Sequence, residues 1–178
     1  GTGNSDINYD SRSFVAWGWK AGGTAVSNTN GDITSSVSAN TDAGFSIVKY
    51  TGNTGDDSVG HGLTRAPEVV FTKPLNASSW VCYFEVLGRN TWLNLNTANS
   101  TSGRNITDYW GNAANWNTTT MGLNTSGTAN MNLNGVDTVA YCWHSVEGYS
   151  KVGSYTGNNN ADGPFVYLGF RPAFILIK

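Results

Sequence analysis

The chain contains an internal repeat, and this repeat limits the possible folds more than any other feature of the sequence. A motif that begins at Gly44 returns near the other end of the chain, beginning at Gly148. From Tyr50 onward the two copies keep a constant offset of 105 residues, which relates Tyr50 to Tyr155. The sequence therefore predicts a modular array, of which this chain is one unit. The matched pairs are Tyr50 and Tyr155, Thr51 and Thr156, Gly52 and Gly157, Asn53 and Asn158, Asp57 and Asp162, Leu63 and Leu168, Pro67 and Pro172, and Lys73 and Lys178.

The repeat also extends upstream, because residues 14–19 are similar to residues 138–143. We therefore predict one domain over residues 1–178, built on the repeated segments 14–73 and 138–178. The first copy carries an insertion rich in Ser, Thr, Asn and Gly at residues 21–41, which we expect to form a loop or an extra hairpin. A polar stretch at residues 96–130 is expected to be a second loop region.

The pattern of apolar residues is typical of β-strands. Short runs of Val, Ile, Tyr, Trp and Phe alternate with clusters of Gly, Asn, Asp and Pro, as around Ser46–Tyr50 and Trp80–Phe84. We therefore predict an all-β fold with little or no helix, namely an antiparallel, jelly-roll-like β-sandwich of about ten short strands. The apolar run at residues 174–177 is expected to pair into the sheet or with a neighbouring subunit.

Composition disfavours two classes of partner. Charged residues make up only 12% of the chain and the net charge is −2, so no basic surface for nucleic acid is expected. No apolar run is long enough to cross a membrane. The two cysteines, Cys82 and Cys142, lie in apolar runs, which indicates buried free thiols, with a disulfide as the alternative.

Several segments resemble an uncharacterised repeat domain family of structural proteins in marine bacteriophages. The similarity lies in residues 14–17, 44–53 and 60–63, and again in residues 139–158 and 162–178. The resemblance implies an extracellular, virion-associated β-domain of a fibre, tail appendage or capsid decoration. Its expected partners are other virion proteins or further copies of itself, in a homo-oligomer or a repeated array. The resemblance carries no catalytic residue.

The residues themselves also offer no catalytic constellation. The only histidines, His61 and His144, are too few for a zinc site, and Ser145 lacks the strained turn of a nucleophile elbow. No pair of carboxylates shows the spacing expected of a glycosidase. We therefore predict a non-enzymatic protein, with a polysaccharide-degrading enzyme as the distant alternative.

Aromatic side chains in polar surroundings suggest a second function. Flat rings can stack on sugar rings, and abundant Asn supplies amide hydrogen bonds. The candidates for binding a host glycan are Trp92, Tyr109, Trp110 and Trp116, and the corresponding protein would be a carbohydrate-binding module of concanavalin-like type. Packing inside a sandwich is the alternative for these residues. The strand-like positions of Trp17, Trp19 and Trp143 predict that these three are core residues.

A faint calcium-loop pattern lies in the second copy of the repeat. Asn158, Asn160 and Asp162 occupy alternate positions and Gly163 follows, as at the start of a calcium-binding loop. Gly169 stands where a bidentate Glu would be expected. An ordinary Asn/Asp/Gly turn is therefore the alternative, and no other cofactor is predicted.

Overall fold

The computed structural model describes residues 10–76, 79–95, 109–124 and 130–178. Regular structure in these residues is almost entirely antiparallel β, which confirms the predicted fold class. Three short 3₁₀ turns at Glu85–Leu87, Ala113–Asn115 and Asn130–Asn132 supply the helical content of these residues. The strands are β1 (Val26–Asn28), β2 (Ser35–Asn40), β3 (Phe45–Thr51), β4 (Asp57–Gly60), β5 (Val69–Pro74), β6 (Val81–Phe84), β7 (Leu93–Asn94), β8 (Thr120–Leu123) and β9 (Asp137–Trp143).

Strand β9 is the central strand of the larger sheet. This sheet has the order β1-β2-β3-β9-β5-β6-β7, and β4 and β8 form a separate two-stranded sheet. Ala140 of β9 lies opposite Val48 of β3 on one side and opposite Thr72 of β5 on the other. The middle of the sheet is therefore formed by strands of the repeat, because β3 and β5 lie in its first copy and β9 lies in its second.

The core lies between the two sheets. Along β9 the alternate residues Thr138, Ala140 and Cys142 are buried, as expected for a strand with one face toward a core. Burial of each large apolar side chain contributes about 1.5–3 kcal/mol to folding. The core members are Val37, Val48, Tyr50, Val59, Leu63, Val70, Val81, Tyr83, Tyr109, Trp110, Met121, Leu123, Met131, Ala140 and Cys142.

The opposite face of the larger sheet is also apolar, and we call it the outer face. Trp143 lies at its centre, with ring centroids 5.1 Å from Phe45 and 5.0 Å from Phe71. Tyr141 stacks on Trp80 at 6.0 Å. A sheet that is apolar on both faces needs a cover on each of them. Trp19 supplies part of that cover, because its ring lies 6.2 Å from Trp143.

Both ends of the described chain lie outside the sheets. Residues 11–20 are exposed, and no described residue from 151 onward belongs to a strand. The prediction that residues 174–177 pair into the sheet of their own chain is therefore wrong, and pairing with a neighbour stays a prediction. Trp17 and Trp19, expected in the core, are 62% and 45% exposed. An isolated segment gains no strand hydrogen bonds, whatever its apolar content.

The two polar regions differ from each other in structure. The insertion at residues 21–41 contains β1 and β2, which pair with each other as a hairpin and extend the sheet beyond β3. Of the region 96–130, residues 96–108 and 125–129 lie outside the described residues. In its described part Tyr109, Trp110 and the strand β8 are buried, so the expectation of a loop is wrong for them. Residues 112–119 contain no strand and are exposed or half-buried, as expected of a loop.

Candidate functional site

The four aromatic residues predicted to bind a glycan do come together. Trp92 stacks on Tyr109 with centroids 4.2 Å apart and planes 9° from parallel. Trp110 and Trp116 lie 6.3 Å apart, and both contact Tyr83 of β6. The cluster joins the region around β7 to the segment before β8, two parts of the chain that are distant in sequence.

Two members of this cluster are core residues, which corrects the expectation of exposed rings for Tyr109 and Trp110, whereas Trp92 and Trp116 are partly buried and pack against the core. Tyr109 and Trp110 are each 1% exposed. The indole N–H of Trp110 donates to the carbonyl of Thr91 at 3.0 Å, and that of Trp116 donates to the carbonyl of Trp110 at 2.5 Å. A sugar ring needs an open aromatic face, and Tyr109 and Trp110 have none. The polar sequence around these two residues predicted that they are exposed. That prediction failed because their rings pack against residues distant in sequence, and the local sequence gives no signal of such contacts.

The predicted calcium residues form a turn. Asn158 accepts a hydrogen bond from the backbone N–H of Asn160 at 3.1 Å, and Asn160 accepts one from the N–H of Asp162 at 3.0 Å. These side-chain oxygens thus cap the local backbone, as expected for Asx turns. Among the described residues no group of three or more His, Cys, Asp or Glu side chains could hold a metal ion. Calcium binding here stays a prediction, and the geometry favours the turn.

Ser145 is hydrogen-bonded as a structural hydroxyl. It donates to the carboxylate of Glu68 at 2.5 Å and accepts from the N–H of Val152 at 3.0 Å. Nδ1 of the neighbouring His144 lies 2.9 Å from the carbonyl of Ser145 instead of near its hydroxyl. A nucleophilic serine needs a base within hydrogen-bonding reach of its oxygen. Among the described contacts of Ser145 the group within that reach is the Glu68 carboxylate, and His144 does not engage the hydroxyl.

The cysteines are inert thiols in this arrangement. Both are free and buried, and they lie on opposite faces of the sheet, since Cys142 belongs to the inner core and Cys82 lies opposite Phe71 on the outer face. Burial raises the pKa of each thiol to about 12, which disfavours the thiolate. The prediction of free thiols therefore agrees with their placement, and neither cysteine is a candidate nucleophile.

The best-defined polar site is the turn that the repeat shares. In the first copy, the Tyr50 hydroxyl donates to the carbonyl of Met131 at 2.6 Å. The Asn132 side chain accepts from the N–H of Asn53 at 3.0 Å and donates to the carbonyl of Gly55 at 2.7 Å. Gly52 fits against the same segment, because a Cβ there would lie 2.4 Å from the carbonyl oxygen of Leu133. The turn after β3 is thus held by the segment before β9.

In the second copy, no segment of the described chain packs against the same turn in this way. Tyr50 is 2% exposed and hydrogen-bonded, whereas its counterpart Tyr155 is 51% exposed. A Cβ at Gly157, the counterpart of Gly52, would meet no atom within 4 Å. The repeat in the sequence signalled this site, but only the structure shows that one copy is docked and the other is not.

Most of the large apolar side chains that are exposed in the described chain lie in two segments. We call residues 14–19 the N-terminal segment and residues 149–178 the C-terminal segment. They touch where Phe174 lies 5.4 Å from both Trp17 and Trp19. Large apolar side chains nevertheless remain exposed along the C-terminal segment, and Phe165 is 90% exposed. They are Tyr149, Tyr155, Phe165, Val166, Tyr167, Phe174, Ile175, Leu176 and Ile177. Exposed apolar surface of this kind indicates an interaction surface.

A cleft lies where the C-terminal segment meets the domain. It has a volume of about 450 Å³ and is lined by residues that include Arg65, Ser145, Glu147, Lys151 and Tyr167. Charges of both signs and the exposed ring of Tyr167 line it, and it is partly open to solvent. We assign no chemistry to it.

Comparison with known proteins gives a family without a described function. In the described residues no helix is long and apolar enough to span a bilayer. The chain matches no curated protein and no solved structure. One family model matches residues 1–178, and the chain therefore belongs to the family described as Domain of unknown function (DUF7483).

Proposed function

We propose that this chain is a non-enzymatic structural module that assembles into a repeated array through its two terminal segments. The observation that carries this proposal is a contrast within one chain. The described residues between 26 and 146 form a domain around a buried core, whereas the segments that flank it repeat the sequence of its central strands and are exposed. The same sequence thus forms paired strands in the domain and exposed, unpaired segments beside it. Exposed segments of this kind can pair with neighbouring units in a repeated array.

The side chains with reactive potential support a structural role. His61 is completely buried, accepts from the N–H of Leu63 at 3.1 Å and lies 3.2 Å from the carbonyl of Asn117. The two thiols are buried, and the Ser145 hydroxyl is engaged by Glu68. Each of these groups is thus satisfied by packing or by a hydrogen bond. Ser145 lines the cleft beside the C-terminal segment, whereas His61 and the two thiols are buried in the domain.

The proposed setting is the surface of a virion, as part of a fibre, a tail appendage or a capsid decoration. This setting rests on the resemblance of the repeat to phage structural proteins. The low charge content and the polar surface of Asn, Thr and Ser agree with it. Glycan binding by Trp92, Tyr109, Trp110 and Trp116 is not proposed further, because these rings are packed against one another.

Sedimentation velocity over a wide concentration range tests the assembly role. We expect the average mass of the full chain to rise with concentration. Replacing the exposed Ile175 and Ile177 with Asp should reduce this association without unfolding the domain, since both side chains are open to solvent. A chain that stays monomeric at all concentrations would contradict the proposal, and so would turnover of a polysaccharide.

A further inference from the structure

We infer that the partner of the C-terminal segment is the N-terminal segment of a second copy of this chain. In this contact residues 14–19 take the place of β9, beside residues 172–178 in the place of β5. The inference rests on the proposed function and adds the identity of the partner, the strands that pair and their register. The ligand is thus a β-strand of defined sequence, bound by addition to a sheet.

The domain itself supplies the register. Within it, Val69 of β5 lies opposite Trp143 of β9, and Thr72 lies opposite Ala140. The repeat carries Val69 to Phe174 and Trp143 to Trp19. It likewise carries Thr72 to Ile177 and Ala140 to Ala16. The expected pairs are therefore Phe174 with Trp19 and Ile177 with Ala16.

A contact already present in the chain agrees with this register. Phe174 and Trp19 lie 5.4 Å apart and edge to face, although no strand joins their segments. These two residues are the pair that the repeat places directly opposite each other. Trp17 lies at the same 5.4 Å from Phe174, so the rings show that the two segments are adjacent, and the repeat alone sets their alignment.

A second copy fits the exposed surface better than closure within one chain. The single chain holds both segments, yet Trp17 remains 62% exposed and Ile177 65% exposed. Neither segment has become a strand. The N-terminal segment of one copy can instead pair with the C-terminal segment of another copy. The repeat makes these two segments equivalent to β9 and β5, which pair within the domain. Such a contact joins two different surfaces, so it generates a ring if the rotation between copies closes and an open array if it does not.

Disulfide trapping between two different variants tests the inference. One full-length chain carries Ala16→Cys and the other carries Ile177→Cys. Both also carry Cys82→Ala, because Cys82 is close enough to Lys178 to feel its charge and could react with a thiol introduced at position 177. The chains are mixed, oxidised and analysed by mass. We expect a disulfide-linked heterodimer, since directly opposed residues bring their Cβ atoms within about 5.5 Å. A link within one chain cannot give this product.

The matched control moves one thiol by two residues. Ile175 points to the same side as Ile177 in the expected ladder and is 64% exposed, against 65% for Ile177. A diagonal pair is separated by about 7–8 Å, too far for an unstrained disulfide. Ala16→Cys mixed with Ile175→Cys should therefore give a several-fold lower yield. Equal yields from the two mixtures, or no heterodimer from either, would overturn the inference.

Two further results separate this inference from the proposed function. If the full chain associates in sedimentation but the in-register heterodimer is not enriched, the strand pairing is wrong and the assembly role stands. If the chain is monomeric at every concentration, both fail. A chain carrying both Ala16→Cys and Ile177→Cys should give linked multimers, and a product that is only internally linked monomer would overturn the choice of a second copy.

Discussion

At the scale of single residues, matched positions in the two copies have opposite environments. Tyr50 is buried and donates to a carbonyl, and Tyr155 has the same sequence context but an exposed ring. The same contrast separates Gly52, which is enclosed by backbone, from Gly157, which is open. The same residue can therefore be compared within one chain in a packed turn and in an exposed turn.

Replacing Tyr50 with Phe should destabilise the domain by about 1–2 kcal/mol, because the buried carbonyl of Met131 loses its donor. The same change at the exposed Tyr155 should alter the free energy of unfolding by less than about 0.5 kcal/mol. Urea denaturation at a concentration where the chain is monomeric measures both values. Equal effects at the two positions would contradict the docking of the first turn only.

His61 should make the stability dependent on pH. Burial lowers the pKa of His61 from 6.5 to about 4, so the unfolded chain binds a proton more readily than the folded one between these values. The contribution of neutral His61 is complete above pH 6.5 and is lost as the pH falls toward 4. The loss amounts to about 3 kcal/mol.

His61→Asn is the variant that isolates this effect. The Asn side chain can still accept from the N–H of Leu63, as the His61 ring does, but it cannot titrate. The difference in unfolding free energy between parent and variant should therefore change between pH 6.5 and pH 4. A difference that is constant over this interval would show that His61 does not titrate as its burial requires.

At the scale of elements, the sequence predicted strands where partners exist within the chain. The apolar runs of β3 and β6 were predicted as strands, and hydrogen-bonded neighbours hold each of them in the sheet. Equally apolar runs at residues 14–19 and 174–177 are not strands. A local pattern of apolar residues indicates the propensity to form a strand. Whether a neighbouring strand is present to pair with it depends on contacts between distant parts of the chain, which the local pattern does not show.

The same limit explains the candidate site. The polar region 96–130 predicted a loop because its aliphatic content is low, yet Trp110 and Leu123 in it are core residues. Their burial depends on Tyr83 of β6 and on β4, which are distant in sequence. The turn of the second copy, in contrast, was predicted as an alternative to calcium binding from Asn158 and Asp162, since Asx turns depend on nearby residues only.

The turn after β3 gives an element-scale prediction. Gly52→Ala should cost about 1–3 kcal/mol, because the new Cβ would overlap the backbone of Leu133 and force the turn away from its holder. Gly157→Ala should be neutral in the monomer, where that position is open. Thermal unfolding of dilute protein compares the two. A neutral Gly52→Ala would contradict the packing of this turn.

At the scale of the whole molecule, the chain is a closed domain between two open segments. In the proposed array these segments take the places of β9 and of β3 to β5, so each chain would supply one strand and one strand-binding edge to its neighbours. An array built this way needs no catalytic site and no cofactor. Its stability should grow with protein concentration, as for any state that a partner stabilises.

Hydrogen–deuterium exchange of the full chain at low and high protein concentration tests this arrangement most directly. The amides of β3, β5 and β9 should be protected at both concentrations. The amides of residues 14–19 and 172–178 should exchange rapidly in the dilute protein and become protected in the concentrated protein. Strong protection of these segments in the dilute monomer, or rapid exchange at both concentrations, would contradict assembly through paired terminal strands.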